Sequence, residues 1–290
     1  MIMVSFEAAE VDSANNPEKV YSSMKRKGLI PSEMDLNEFI NEGYYANLRG
    51  EYVYRRVKSK HSKTTKLLKS LIPDVVILQS VPISNLFLLR NTSGAYDLLK
   101  DREDVVEIST NEKFNVELDK RESHGQLSAK MNMSRLKQLV TKQTSENQLP
   151  QWNIRAIGAD WVWKTGTRGQ GVIVGIADTG ASFMHPALAS NYMGLKSDGH
   201  YDHNYSWWDG IRKTTPLAGQ PSCPPASREP CDDVGHGTHC LSTAAGSAGY
   251  GVAPGAKWIG CRNMDNGLGS TVSYLSCLNF FLAPHDLDVI

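Results

Sequence analysis

Gly169-Gln170-Gly171-Val172-Ile173-Val174-Gly175-Ile176-Ala177-Asp178-Thr179-Gly180 decides the fold class. A near-continuous apolar run between glycines predicts a strand buried on both faces, and such strands belong to parallel sheets covered by helices. The run ends on a carboxylate. In open parallel sheets functional groups gather at the carboxyl ends of the strands, so Asp178 is where a working carboxylate is expected.

Downstream lies Gly235-His236-Gly237-Thr238-His239-Cys240, followed by Leu241-Ser242-Thr243-Ala244-Ala245-Gly246. Glycine permits close backbone approach, and small residues let a helix pack with little side chain in between. A histidine at the mouth of such a helix is held rigidly, as a general base must be. An isolated H-x-x-H has a plainer reading, with His236 as a helix-start residue and His239 as a core one. Beside Asp178 the pair acquires chemistry. A buried carboxylate that accepts Nδ1–H of an imidazole fixes its tautomer and leaves Nε2 to take a proton from a nucleophile.

Working outward, Ala159–Lys164 is amphipathic, and 190–232 is a long irregular insertion containing His200, His203, Trp207, Trp208 and Asp209. Connections of that length are usually functional or disordered. A turn at Gly251–Gly255, a second apolar strand at Lys257–Cys261 and a helix over Ser270–Leu282 follow. Asp286-Leu287-Asp288-Val289-Ile290 reads as the start of another buried strand, which suggests an incomplete domain.

Five of the 24 glycines and none of the six tryptophans precede residue 150, so the first half is a different unit. Residues 1–48 read as polar and irregular, with short helices near Glu18–Lys27 and Pro31–Glu42. Over 49–120 the pattern predicts a strand at Glu51–Val57, a helix at Ser59–Ile72 and strands at Asp74–Val81 and Ser84–Arg90. A helix at Ala95–Arg102 and a strand at Val105–Ser109 complete it. That β-α-β-β-α-β order is the split, ferredoxin-like α+β arrangement. Basic residues from Arg55 to Lys69 lack interleaved aromatics and read as a solvated helix face. Residues 121–150 read as a linker with one helix, Ser128–Gln143.

The chain has 290 residues, no net charge, 40% hydrophobic and 21% charged residues, a globular composition. Neutrality gives no ground for nucleic acid or an anionic membrane as partner, and no apolar run approaches the roughly 20 residues of a membrane helix. The N-terminal residues lack the basic head and apolar core of a secretory signal, so the compartment is not legible. Five cysteines imply no disulfide framework. Cys223 and Cys231 lie close enough in a Pro-rich loop to pair in an oxidising compartment. Cys240, Cys261 and Cys277 read as buried thiols.

Ile176-Ala177-Asp178-Thr179-Gly180 with His185-Pro186-Ala187-Leu188 resembles the aspartate motif of the subtilisin-like serine peptidases. Gly235-His236-Gly237-Thr238-His239-Cys240 resembles their histidine motif, and Gly251-Val252-Ala253-Pro254-Gly255-Ala256 the turn that follows. Asp before His is also the family's chain order. The tryptophan-rich insertion and Asn263-Met264-Asp265-Asn266-Gly267 are similar to the bacillopeptidase F-like branch. The resemblance covers Trp152–Ile290. It implies an α/β catalytic domain with a parallel sheet, preceded at 49–120 by a propeptide that inhibits and assists folding. It implies peptide or protein substrates, an intramolecular propeptide as partner and no cofactor for the chemistry. In such a serine endopeptidase Asp178 orients His236, which activates a serine, while His239 is only a neighbour. The family is commonly stabilised by calcium, for which no ligand set is assembled from these residues.

No G-T-S-x-A motif occurs, so the catalytic serine is absent. Its loss costs on the order of a million-fold in subtilisin itself, and the 290-residue chain is expected not to hydrolyse peptides. Three other readings stand beside this one. Asp178-Thr179-Gly180-Ala181 matches the D-T-G-A signature of aspartic peptidases, which need a second such carboxylate. His236 and His239 with Asp232 or Asp233 offer zinc donors without H-E-x-x-H. A non-catalytic chain whose first domain inhibits, or assists the folding of, an intact relative is the third.

Overall fold

The computed structural model describes residues 1–42, 44–90, 94–115, 149–213 and 223–284. The expected linker helix Ser128–Gln143 and the expected strand after Pro284 lie outside the described residues. The chain divides into two compact units, one of Met1–Glu112 with Leu278–Ala283, the other built on Lys113–Cys277.

In the first unit, β1 (Ile2–Phe6), β2 (Ile77–Val81), β3 (Leu86–Leu89) and β4 (Val105–Ser109) form an antiparallel sheet in the order β2-β3-β1-β4. Helices α1 (Pro17–Arg26), α2 (Leu36–Asn41), α3 (Tyr44–Leu71) and α4 (Ala95–Leu99) connect them. Asn16 accepts from Lys19 N–H at the start of α1 with Pro17 just inside, and Asp35 caps α2 through Glu38 N–H. Val4, Phe6, Leu68, Phe87, Leu89 and Leu99 make the core between sheet and α3.

Two expectations fail here. Glu51–Val57 is not a strand, because α3 runs unbroken for 28 residues. Its buried positions, Tyr52, Val57, His61, Thr64 and Leu68, recur at helical spacing, whereas the alternation of Tyr52 and Tyr54 is an accident of composition. Residues 1–48 are not a separate irregular segment either. Met3-Val4-Ser5 pairs on one side with β3 and on the other with β4, so β1 is a central strand of the sheet.

In the second unit β6 (Ile173–Asp178), β7 (Trp207–Asp209) and β8 (Lys257–Arg262) form a parallel sheet in the order β6-β8-β7. Short helices α5 (Trp152–Ala156) and α6 (Ala159–Lys164) precede it, and α7 (His236–Ala245) packs against β6. Tyr192, Trp207, Leu241, Ala245 and Trp258 are the fully buried centre. A second, antiparallel sheet joins β5 (Lys113–Asn115), β10 (Leu268–Ser270) and β9 (Met264–Asp265), and α8 (Thr271–Leu282) follows.

Three further expectations are corrected. The buried strand is β8, between two neighbours, while β6 pairs on one edge among the described residues and leaves Ile173 54% exposed. The insertion at 190–232 is not wholly irregular, since Trp207–Asp209 supplies the third strand with both indole rings buried. Cys261 and Cys277 are not free thiols but a disulfide tying β8 to α8; Cys223 and Cys231 are also bonded, and Cys240 is free. No described helix is long and apolar enough to cross a membrane.

Candidate active site

Strand β6 delivers Asp178 at its carboxyl end, in register with Arg262 of β8, and the Asp178 carbonyl accepts Asn263 N–H at 2.9 Å. The side chain then turns toward α7. Asp178 Oδ1 accepts Thr179 N–H at 2.6 Å and lies 2.7 Å from His236 Nδ1. A carboxylate only accepts, so the proton in this bond sits on Nδ1 and Nε2 is the basic nitrogen. Asp178 is buried, whereas the His236 side chain is 39% exposed and open to a substrate.

The helix start that presents His236 is held by the same loop that follows Asp178. Gly235 takes the left-handed backbone (φ 86°) that ends the approach, and His236 is the first helical residue. The first amides of a helix have no partner inside it. Here Gly237 N–H donates to Thr179 Oγ1 at 2.9 Å and Thr238 N–H to Asp232 Oδ2 at 2.9 Å. Asp232 Oδ1 also accepts Thr179 Oγ1–H and the amides of Val234 and Gly235. Its negative charge at the helix N-terminus is favourable to the helix dipole. One aspartate therefore ties the two halves of the site together. The contact is close: a Cβ on Gly237 would lie 2.2 Å from the Gly180 carbonyl oxygen and 3.1 Å from Asp178 Cβ.

Next to this couple lies a buried charge network. Arg262 gives Nε and Nη2 to the two oxygens of Asp209 at 3.1 and 2.9 Å, Nη1 to Asp233 Oδ2 at 3.1 Å, and Nη2 to the Pro224 carbonyl. All three side chains are out of solvent. One guanidinium serves two carboxylates, and burial pushes Asp233 up to about 7 and raises Asp209 as well, against the pull of Arg262. Sequence reading singled out neither Arg262 nor the capping role of Asp232. The one available signal was an arginine at the end of an apolar strand, Arg262, which needs an anion if buried.

The remaining donors separate. His239 is exposed, His203 Nδ1 bonds Tyr192 OH, and His200 pairs with Asp198. The set His236, His239 and Asp232 or Asp233 is not gathered as zinc ligands. Among the described residues the group within ligand reach is Asp178, His236 and Cys240. The partner of Asp178 is an imidazole, not a second carboxylate, which removes the geometry an aspartic peptidase needs.

Residues 169–290 match the subtilase family. Bacillopeptidase F of Bacillus subtilis (strain 168) is 33% identical over 145 residues, 48% of this chain and 9% of that protein. Minor extracellular protease Vpr of the same organism is 35% identical over 112 residues, 38% of this chain and 12% of that one. Neuroendocrine convertase 2 of Bos taurus is 32% identical over 108 residues, 36% and 14% of the two chains. The chain thus spans 9 to 14% of the length of these relatives. The crystal structure of the epidermin leader peptide processing serine protease EpiP (S393A) from Staphylococcus aureus covers 75% of this chain and 44% of its own, at 16% identity and TM-score 0.47.

Proposed function

We propose that this chain carries the acid–base half of a subtilase active site, with His236 as general base and Asp178 as the residue that orients it. The observation that carries the reading is the 2.7 Å bond between Asp178 Oδ1 and His236 Nδ1, joining residues 58 apart inside the subtilase-matched segment. In such a site Nε2 takes the proton of a serine hydroxyl and Asp178 stabilises the imidazolium. Peptides and proteins are the substrates, and the chemistry needs no cofactor.

No serine motif is present in the 290 residues, so the chain itself does not turn over substrate. Incubation with fluorogenic peptides is expected to give no hydrolysis; turnover blocked by a serine-directed phosphonate overturns this. Joined to a serine-bearing subtilase segment, the same residues become testable. His236→Ala is then expected to lower kcat by about a million-fold and Asp178→Ala by about ten-thousand-fold, as in subtilisin. Near wild-type rates in either variant refute the assignment.

We read Met1–Glu112 as a propeptide-like, ferredoxin-like unit that inhibits or assists folding of a subtilase domain. Support comes from β5, the strand that follows this unit. Lys113–Asn115 adds antiparallel to β10, with Phe114 opposite Gly269, in the manner of an extended peptide joining a sheet. The unit for testing is Met1–Glu112, because a piece starting at residue 49 lacks β1 from the middle of its sheet. Micromolar Met1–Glu112 is expected to inhibit or speed refolding of an intact relative, and no effect on either counts against the reading.

A further inference from the structure

We propose that the first unit carries a binding cleft for a short linear polyanion whose charges are phosphoryl or sulfuryl groups. A cavity of about 1200 Å³ lies wholly within Met1–Glu112, lined by α1, α3 and the loop that follows β1. On α1 its wall is Lys19, Ser22, Ser23 and Arg26, with Lys27 at the helix end. On α3 it is Arg55, Arg56, Ser59, Lys60 and Lys63. Both sets recur at three- and four-residue steps, so each is one continuous stripe of its helix. Every charged member of either stripe is basic. At 1.5 Å per residue each ridge is about 10–12 Å long.

The basic run of α3 that reads as a solvated face in the sequence thus shares its cleft with a second basic ridge on α1. Tyr52 and Ser13 also line the cleft, with their hydroxyls 3.0 Å apart. Arg56 donates Nε–H to the Glu10 carbonyl at 2.9 Å and lies over the Tyr52 ring, so its guanidinium is held before a ligand arrives. Lys19, Arg26, Lys27 and Lys63 make no ion pair among the described residues. Four exposed acids share the rim, Glu7, Glu10, Asp12 and Glu18, which leaves an excess of three positive charges. The ion pair between the two sets, Lys60 with Glu7 at 3.8 Å, is exposed and weak.

A cleft walled by one sign of charge focuses its field on a ligand of the other. Arginine forks match oxyanions with paired N–H···O bonds. A phosphoryl or sulfuryl group offers three oxygens, enough for donors on both walls at once, whereas a carboxylate offers two in one plane. Successive groups of a chain then follow the ridges turn by turn. A nucleic-acid strand needs exposed rings to stack its bases, and Tyr52, the aromatic ring lining the cleft, is buried.

The experiment is calorimetric titration of the full chain at about 50 mM salt, where polyanion binding is strongest. The probes are inorganic polyphosphate and, separately, dextran sulfate, with poly-glutamate of matched charge as control. Saturable binding of polyphosphate or dextran sulfate is expected, at least about tenfold tighter than poly-glutamate. Saturation by one probe alone assigns the cleft to that source, and saturation by both assigns it to the shared oxyanion chemistry. Arg26→Ala with Lys63→Ala takes one cation from each ridge. It is expected to weaken binding about tenfold and to lower the slope of log affinity against log salt by about 1–2. Lys58→Ala with Lys69→Ala removes the same charge from α3 outside the cleft and is expected to change neither. All four side chains are exposed, and thermal melting checks folding. Should the first pair fail to fold, each single change decides in its place. No saturation by either probe, equal binding of poly-glutamate, or equal loss in the two double variants overturns the site and reduces it to a solvated basic face. No readout involves hydrolysis, so failure here leaves the peptidase reading untouched.

Discussion

Replacing Arg262 with Met is the most demanding test of how the candidate site is supported. Methionine approximates the stem of arginine and removes the guanidinium. Four hydrogen bonds vanish, and Asp209 and Asp233 are left facing each other's field without a cation, all out of solvent. Removing one partner of a buried ion pair costs about 3–5 kcal/mol. For a unit of this size that corresponds to a fall in melting temperature of about 6–20 °C. The cost depends on pH with a definite sign. Burial raises Asp233 from its ordinary 3.8 to about 7, so the folded protein binds more protons than the unfolded one between those values. Stability is then greatest at the acid end of that window and falls as pH rises through about 7. In Arg262→Met both carboxylates lose their cation, so the decline steepens, and the destabilisation is larger at pH about 8 than at pH about 5.5. Thermal melts of the full chain at several pH values measure this. Adding Asp209→Asn and Asp233→Asn to Arg262→Met is expected to recover part of the loss, because uncompensated charge rather than lost packing causes it. A loss below about 1 kcal/mol, of the size expected for an exposed pair, refutes the reasoning. So does a pH dependence no steeper than wild type.

Two smaller perturbations probe the contact between the halves of the site. Asp232→Ala removes the acceptor for Thr238 N–H and Thr179 Oγ1–H, and is expected to cost about 1–2 kcal/mol in a denaturant melt, with Asp232→Asn milder. Gly237→Ala drives a methyl to 2.2 Å from the Gly180 oxygen, so α7 must retreat from β6. The expected loss is about 1–3 kcal/mol, with disappearance of the downfield Nδ1 proton signal of His236 in NMR spectra; an unchanged signal shows that the helix did not have to move.

Asp178 and His236 were legible because close approach leaves a mark in sequence. A helix start that nearly touches a strand end demands glycine where a Cβ would collide, and Gly180 and Gly237 stand at those points. The parallel sheet was legible in the apolar runs, although which strand is central was not, since composition does not report neighbours. In the first unit the hairpin of β2 and β3 and the strand Val105–Ser109 were readable from β-branched runs. The central strand was not: Ile2–Phe6 is five residues long, and its place depends on pairing with segments about 80 and 100 residues away and on packing against α3. Glu51–Val57 misled for the opposite reason, since aromatic and β-branched residues in a helix carry strand propensity that tertiary packing overrides. The Cys261–Cys277 bond and the Arg262 network depend on three-dimensional proximity with no periodic signal at all.

Asp232 and Asp233 show why the illegible part matters to the legible one. These neighbours point to different partners: Asp232 holds the amides at the mouth of α7, and Asp233 holds Arg262 on β8. Cys231, one residue earlier, is bonded to Cys223. Three consecutive residues are thus fixed on three different supports, and the loop between them and His236 is two residues long. A histidine positioned by so short a lead cannot be indifferent to its anchors. Loss of Arg262 leaves Asp233 held by the Asn266 amide at 3.2 Å alone, and a shift of Asp233 is carried through the backbone to Asp232 and from there to the Thr179 hydroxyl beside Asp178. The buried arginine and the Asp178–His236 pair are therefore supported through one shared loop.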